Sequence, residues 1–139
     1  MPDWDELRKE FPSLYENIVF ECCGGWYDIL RDLSIKIEAH VKCCPDYQGE
    51  DPLKFYVTQV KEKYASLRFY CENACEHMDV YIDEAEERSG KTCEECGDPG
   101  TLRGECWYRT QCNRCFSNEE HINSIPLPPK FIDPNDHHD

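Results

Sequence analysis

The sequence predicts an α+β protein in which helices pack on a short antiparallel β-hairpin, with a C-terminal module built around four cysteines. Three observations lead to this fold class. Three segments carry apolar residues at helical spacing, two adjacent segments are rich in aromatic and β-branched residues, and two Cys-x-x-Cys pairs lie within 93–115. A chain of 139 residues fits one compact domain with a small appendage.

The three predicted helices have apolar residues at steps of three and four, which places those residues on one face of each helix. We expect a break or a second start at Pro12 within the first helix, and an end at Cys22-Cys23-Gly24-Gly25. Pro45 stops the second helix, and Asn73 is suited to cap the third, with Gly90 left-handed after its end. The predicted helices are residues 3–23, 26–43 and 74–89.

Two strands are predicted between the second and third helices. Residues 54–64 and 67–72 are dense in aromatic and β-branched side chains, and Ala65-Ser66 makes a short hairpin connection between them. Three parts of the chain follow from these assignments: a body over 1–90, a cysteine-rich module over 91–117 and a Pro-rich tail over 118–139, which we expect to be extended or disordered.

The cysteine-rich module has the spacing of a four-thiolate zinc site. Each Cys-x-x-Cys turn brings two sulfurs together, and the fifteen residues between the pairs must return as a hairpin. Four thiolates close the coordination sphere of zinc, so the site is predicted to be structural, with one Zn²⁺ held by Cys93, Cys96, Cys112 and Cys115. Reduced or disulfide-linked cysteines are the alternative, and Cys106 lies outside both pairs as a possible substitute ligand.

The remaining cysteines are interpreted as small apolar residues, with a redox or second-metal role as the alternative. Two adjacent pairs, Cys22-Cys23 and Cys43-Cys44, flank the second helix, whose ends lie roughly 25 Å apart, too far to share one ion. Cys71 and Cys75 provide only two ligands. A catalytic thiol needs a base, and His40, His77 and His121 carry no sequence signal for that role, so we predict that the protein is not an enzyme.

The charge of the chain favours a basic partner. The formal net charge is −14, which opposes direct binding to a nucleic-acid backbone. Acidic residues of the third helix form one stripe, which is our candidate partner-binding surface. The alternative is that this stripe is an ordinary solvated face of the helix. No apolar run approaches membrane-spanning length, and the charged N-terminus lacks a signal peptide, so we expect a cytoplasmic protein. The stripe comprises Glu76, Asp79, Asp83, Glu84, Glu86 and Glu87.

A resemblance to a known family rests on three stretches: GGWYDILRDL, VTQVKEKYASLRFYCE, and IDEAEERSGKTCEECGDPGTLR followed by WYRTQCNRC. They are similar to a family of small zinc-ribbon proteins, mostly uncharacterised, encoded by bacteria, prophages and phages. The similarity covers about residues 20–116 and departs at Ala65, where the family pattern favours Gly. The chain also resembles the zinc-containing anti-CRISPR proteins that inhibit Cas9. That resemblance implies a protein of the host bacterial cytoplasm that binds the nuclease and blocks DNA loading.

Two functions therefore compete at the level of sequence. The first is binding and inhibition of a host defence nuclease, with Cas9 as the foremost target, because Cas9 holds nucleic acid in a positively charged channel. The alternative is a zinc-ribbon protein that binds nucleic acid or modulates transcription, using Arg103, Arg109 and Arg114 with the Trp107-Tyr108 pair.

Overall fold

The fold was obtained as a computed structural model, which describes residues 4–103 and 108–116. It is a mixed α and β protein, as predicted. The predicted tail, Cys106, Trp107 and His121 lie outside the described residues. The elements are helices α1 (Trp4–Glu10), α2 (Pro12–Tyr15), α3 (Tyr27–Cys43) and α4 (Glu76–Ser89), and strands β1 (Phe20–Glu21), β2 (Tyr56–Lys63), β3 (Ser66–Glu72), β4 (Thr101–Arg103) and β5 (Arg109–Gln111).

The first predicted helix is shorter than expected and is divided in two. Phe11 precedes a proline and has an extended φ of −128°, which interrupts the helix as the sequence indicated. The prediction of helix up to residue 23 is wrong, because α2 ends at Tyr15 and the chain then forms strand β1. Strand β1 runs parallel to β2, with Phe20 opposite Val60, and both of these residues are buried. Burial in the sheet therefore overrides the helical pattern of this segment.

The predicted hairpin is present, and its turn lies one residue earlier than expected. Strands β2 and β3 pair antiparallel from Tyr56 opposite Glu72 to Lys63 opposite Ser66. The connecting residues are Tyr64 and Ala65, and both have positive φ values, 53° and 68°. Positive φ at both central residues is the requirement of a tight two-residue hairpin turn. Glycine adopts positive φ more readily than alanine does, so glycine would suit position 65.

Both predicted caps of α4 are wrong. The N-cap residue is Cys75, and Asn73 instead takes a positive φ of 65° and donates from its side chain to the Lys54 carbonyl. At the other end, Gly90 keeps a right-handed helical conformation, with φ −70°. The hydroxyl of Thr92 donates to the Arg88 carbonyl and satisfies part of this terminus. A side chain therefore caps α4 at its C-terminus, whereas the N-cap residue Cys75 makes no side-chain capping hydrogen bond.

Helices α3 and α4 pack antiparallel, and their apolar faces form the centre of the core with the sheet. Ion pairs join Asp32 to Arg88 and Lys36 to Glu84, so residue numbers rise along α3 as they fall along α4. The C-terminal end of α3 thus meets the N-terminal end of α4. The largest fully buried side chains of the body are Trp26, Tyr15, Leu7, Ile29, Leu30, Leu33, Ile37, Leu67, Met78 and Val60.

Candidate metal centre

The structure brings the four predicted cysteines together into one cluster, which we call the ribbon cluster: Cys93, Cys96, Cys112 and Cys115. Their sulfur atoms all lie within 4.8 Å of one another. The Cys96 and Cys112 sulfurs are 3.6 Å apart, far longer than the roughly 2.05 Å of a disulfide. Sulfurs bound to one tetrahedral ion at about 2.3 Å are separated by about 3.8 Å. The cluster therefore has the size of a four-coordinate metal site.

Local backbone structure holds these sulfurs in place. Gly97 has a positive φ of 89° and donates its N–H to the Cys93 carbonyl, which closes the first Cys-x-x-Cys turn. Strands β4 and β5 form the predicted hairpin, and a short helical turn over 113–116 carries the second pair. The Cys115 N–H donates to the Cys112 sulfur and lowers the pKa of that thiol to about 6. Burial raises the pKa values of Cys96 and Cys115 in the same cluster, so the neighbouring thiols lose their protons unequally.

The module is docked on the body through the Gly24-Gly25-Trp26 segment. The Gly25 N–H donates to the Glu94 carbonyl, and the buried Trp26 indole donates to the Thr92 carbonyl over 3.0 Å. A Cβ at Gly25 would lie 2.2 Å from the Cys93 carbonyl oxygen, so only glycine allows this approach. The segment that leads into α3 therefore packs directly against the first Cys-x-x-Cys turn.

A buried carboxylate lies beside this contact between the module and the body. Glu94 is 4% exposed, and burial raises its pKa, while the N–H of Cys23 and the charge of Arg109 act in the opposite direction. Arg109 lies 3.8 Å from Glu94 and 3.5 Å from the Cys23 sulfur. The hydroxyl of Thr110 donates to the Ala65 carbonyl, which joins β5 to the turn of the β2–β3 hairpin. The module thus contacts the body at two separate places.

A second cluster lies at the opposite end of α3, and sequence reasoning missed it. The ligand atoms of His40, Cys75 and His77 lie within 4.8 Å of one another. The His40 Nε2 atom is 3.0 Å from the Cys75 sulfur. Cys44, the cap residue at the C-terminus of α3, lies at the same end of the helix. The available signal was a His-x-x-x-Cys spacing at the end of one helix and a Cys-x-His spacing at the start of the next.

The other cysteines agree in part with their interpretation as apolar residues. Cys22 and Cys71 are half-buried and pack against the core, and burial raises the pKa of Cys22 to about 12 and that of Cys71 to about 11. Cys43, in contrast, is exposed. The predicted separation of the two adjacent cysteine pairs also holds, because the 17-residue helix α3 begins shortly after the first pair and ends at Cys43.

The acidic stripe of α4 is largely at the surface. Glu76, Asp79, Asp83 and Glu87 are exposed, and none of them forms an ion pair with another described residue. Glu84 is exposed and lies 3.9 Å from Lys36. The sixth predicted member behaves differently: Glu86 is half-buried and accepts the Phe69 N–H, and burial raises its pKa. Its place in the structure is that of a link between α4 and β3.

Comparison of the chain with protein-family models, with curated proteins and with solved structures finds no match. Among the described residues, no helix has the length and apolar character needed to cross a membrane.

Proposed function

We propose that the ribbon cluster binds one structural zinc ion. Four thiolates are the donor set that zinc prefers over hard cations such as calcium or magnesium. All four coordination positions are then filled by protein, so the ion has no open position for water or substrate. The role of the metal is to hold β4, β5 and the two Cys-x-x-Cys turns against the body.

The protein itself acts by binding another protein, through the exposed acidic stripe of α4. The main support for this proposal is that four carboxylates of one helix are exposed and form no ion pair with another described residue. They are Glu76, Asp79, Asp83 and Glu87. Carboxylates three or four residues apart repel one another and weaken the helix that carries them. A basic groove on a partner removes this repulsion and speeds association.

The partner class is a nucleic-acid-handling defence nuclease of the host, with Cas9 first. This step rests on the resemblance to anti-CRISPR proteins and on the positively charged channel in which Cas9 holds its nucleic acid. An acidic protein of net charge −14 placed in that channel prevents DNA loading. The protein is thus proposed to be phage- or prophage-encoded and to act stoichiometrically, without catalysis.

Contacts within the module support protein binding over the alternative of direct nucleic-acid binding. The Arg103 guanidinium bonds to the Asn113 side chain and stacks over the Phe116 ring. Arg109 lies beside two buried or half-buried carboxylates, and Arg114 is 3.5 Å from Asp98. Carboxylates beside Arg109 and Arg114 reduce the charge that these two arginines offer to phosphates, whereas the partners of Arg103 are uncharged.

A cleavage assay with purified Cas9, guide RNA and target DNA tests the proposal. The stripe variant is Asp83→Lys with Glu87→Lys, which leaves the first turn of α4 intact, where negative charge stabilises a helix. The matched control is Glu50→Lys with Asp51→Lys, the same charge change at exposed residues of another segment. We expect wild type and control to inhibit cleavage, and the stripe variant to bind at least about tenfold more weakly.

Two results would contradict parts of this proposal. Undiminished cleavage by Cas9 and by other host nucleases at excess wild-type protein would refute nuclease inhibition. Equal inhibition by the stripe variant and the control would show that the inhibitory surface lies elsewhere. A gel shift with DNA or RNA at low salt tests the alternative, which requires a complex at micromolar protein.

A further inference from the structure

The junction between α3 and α4 gathers four residues that bind transition metals. His40 lies in the last turn of α3, and Cys44 is the cap residue at its C-terminus. Cys75 is the N-cap of α4, and His77 lies in its first turn. The antiparallel packing of the two helices is what brings these distant parts of the sequence to one place.

Three of these residues already have the separation of ligands to one ion. The ring nitrogens of His40 and His77 and the sulfur of Cys75 all lie within 4.8 Å of one another. The two imidazole rings have centroids 5.2 Å apart. Ligand atoms around a tetrahedral zinc ion are separated by about 3.3–3.8 Å, given bond lengths of about 2.0–2.3 Å. Small rotamer adjustments therefore suffice to place all three around a common point.

Cys44 is the candidate for a fourth ligand, because it caps the C-terminus of α3, the end that meets the start of α4. Its thiol is half-buried, and a change of side-chain rotamer is needed to bring its sulfur within 4.8 Å of the other three ligand atoms. Two cysteines at such a helix junction can share a metal ion or form a disulfide. The presence of two imidazoles beside them favours the metal, because imidazole has no part in a disulfide and is a common zinc ligand.

Aromatic side chains hold the His40 ring in position. The rings of Tyr47 and Tyr81 meet it edge-on, at centroid distances of 6.3 Å and 6.1 Å. Tyr47 is itself fixed, since its buried hydroxyl donates to the Asn73 carbonyl. Residues that orient the ligating groups are a regular feature of protein metal sites. The cluster thus has the support of a built site as well as the ligand atoms.

We propose that His40, Cys44, Cys75 and His77 bind a second zinc ion, which we call the helix-junction site. Two thiolates and two neutral imidazoles balance the charge of Zn²⁺, and binding releases the two thiol protons to solvent. The ion joins the end of α3 to the start of α4, whose N-cap residue Cys75 makes no side-chain capping hydrogen bond. It is separate from the ribbon cluster, because the 17 residues of α3 span about 25 Å between them.

Metal content of the full-length protein, purified under reducing conditions and dialysed against a weak chelator, tests this proposal. We expect two zinc ions per chain in wild type, and one in Cys75→Ser and in His77→Ala. His77 is exposed, so its replacement spares the core. The matched control is Cys43→Ser, the exposed neighbour of Cys44, which should keep two ions.

Cobalt substitution identifies which site is lost. A four-sulfur site and a mixed sulfur–nitrogen site give different visible d–d bands, and His77→Ala should remove only the mixed set. Cys96→Ser should remove only the four-sulfur set, which separates failure of the ribbon proposal from failure of this one. One ion in wild type and an unchanged count in both junction variants would overturn the helix-junction site. So would a mass lower by two hydrogens that returns on reduction, since it would assign a Cys44–Cys75 disulfide.

Discussion

At the scale of single residues, Gly25 lies in very close contact with the backbone of the cysteine-rich module. Its Cα faces the backbone of the first Cys-x-x-Cys turn, and a Cβ would lie 2.2 Å from one carbonyl oxygen and 2.4 Å from another. Backbone atoms cannot yield as a flexible side chain does. The Gly-Trp pair at this position therefore serves the contact between body and module as well as the start of a helix.

Gly25→Ala should accordingly lower the free energy of unfolding by about 2–3 kcal/mol, the cost typical of severe overpacking. Urea denaturation followed by circular dichroism measures it. Gly90→Ala is the matched control, because Gly90 has φ −70° and its added Cβ would make only an ordinary 3.5 Å contact. That change should be neutral or stabilising by up to about 1 kcal/mol. Equal effects of the two substitutions would contradict the role assigned to Gly25.

At the scale of elements, the sequence allowed those with strong local patterns to be predicted. The apolar face of α3 and the pairing of β2 with β3 follow from periodicity, and the ribbon cluster follows from cysteine spacing. Strand β1 could not be predicted in this way. Its two residues form a strand only because they pair with a segment 40 residues away, Phe20 with Val60. Such long-range pairing has no local signature.

The helix-junction cluster was hidden for a related reason. Its ligands come in two short groups, 40–44 and 75–77, and neither group alone is a recognised metal motif. Their meeting depends on the antiparallel register of α3 and α4, which the ion pairs of Arg88 and Lys36 reveal only in three dimensions. By contrast, each half of the ribbon cluster is a complete two-ligand turn, visible in the sequence itself.

Loss of the metal from the ribbon cluster should affect whole elements of the fold. Cys96→Ser should release the ribbon zinc, because metal binding energy is part of the folding energy of such a module. We expect the backbone amides of β4 and β5 to exchange faster. The loss of protection should extend to Trp26, whose indole donates to the Thr92 carbonyl. Amide exchange at α4 residues far from the contact between the module and the body should change less. Unaltered exchange and an unaltered melting curve in a zinc-free Cys96→Ser protein would contradict this coupling.

At the scale of the whole molecule, the acidity of the chain opposes its own stability. A formal net charge of −14 on 139 residues produces mutual repulsion that favours expansion. The repulsion is concentrated along α4, where Asp79, Asp83 and Glu87 follow one another at four-residue steps. If these carboxylates serve a partner, stability and binding should respond in opposite directions when their charge is reversed.

The stripe variant, Asp83→Lys with Glu87→Lys, tests this opposition. It turns the repulsion between Asp79 and position 83 into an attraction and places cations toward the helix C-terminus, each worth a few tenths of a kcal/mol, while the two new lysines still repel each other. We therefore expect a net gain of about 0.5 kcal/mol in the free energy of unfolding. The gain should be largest near 0.01 M salt, where the Debye length is about 30 Å, and shrink near 0.15 M, where it is about 8 Å. Urea unfolding at both salt concentrations measures it, with the Glu50 and Asp51 reversal as control. A variant that is more stable but no longer binds the nuclease would indicate that the stripe is maintained for its partner. A variant that loses both stability and binding would indicate that these carboxylates have a structural role.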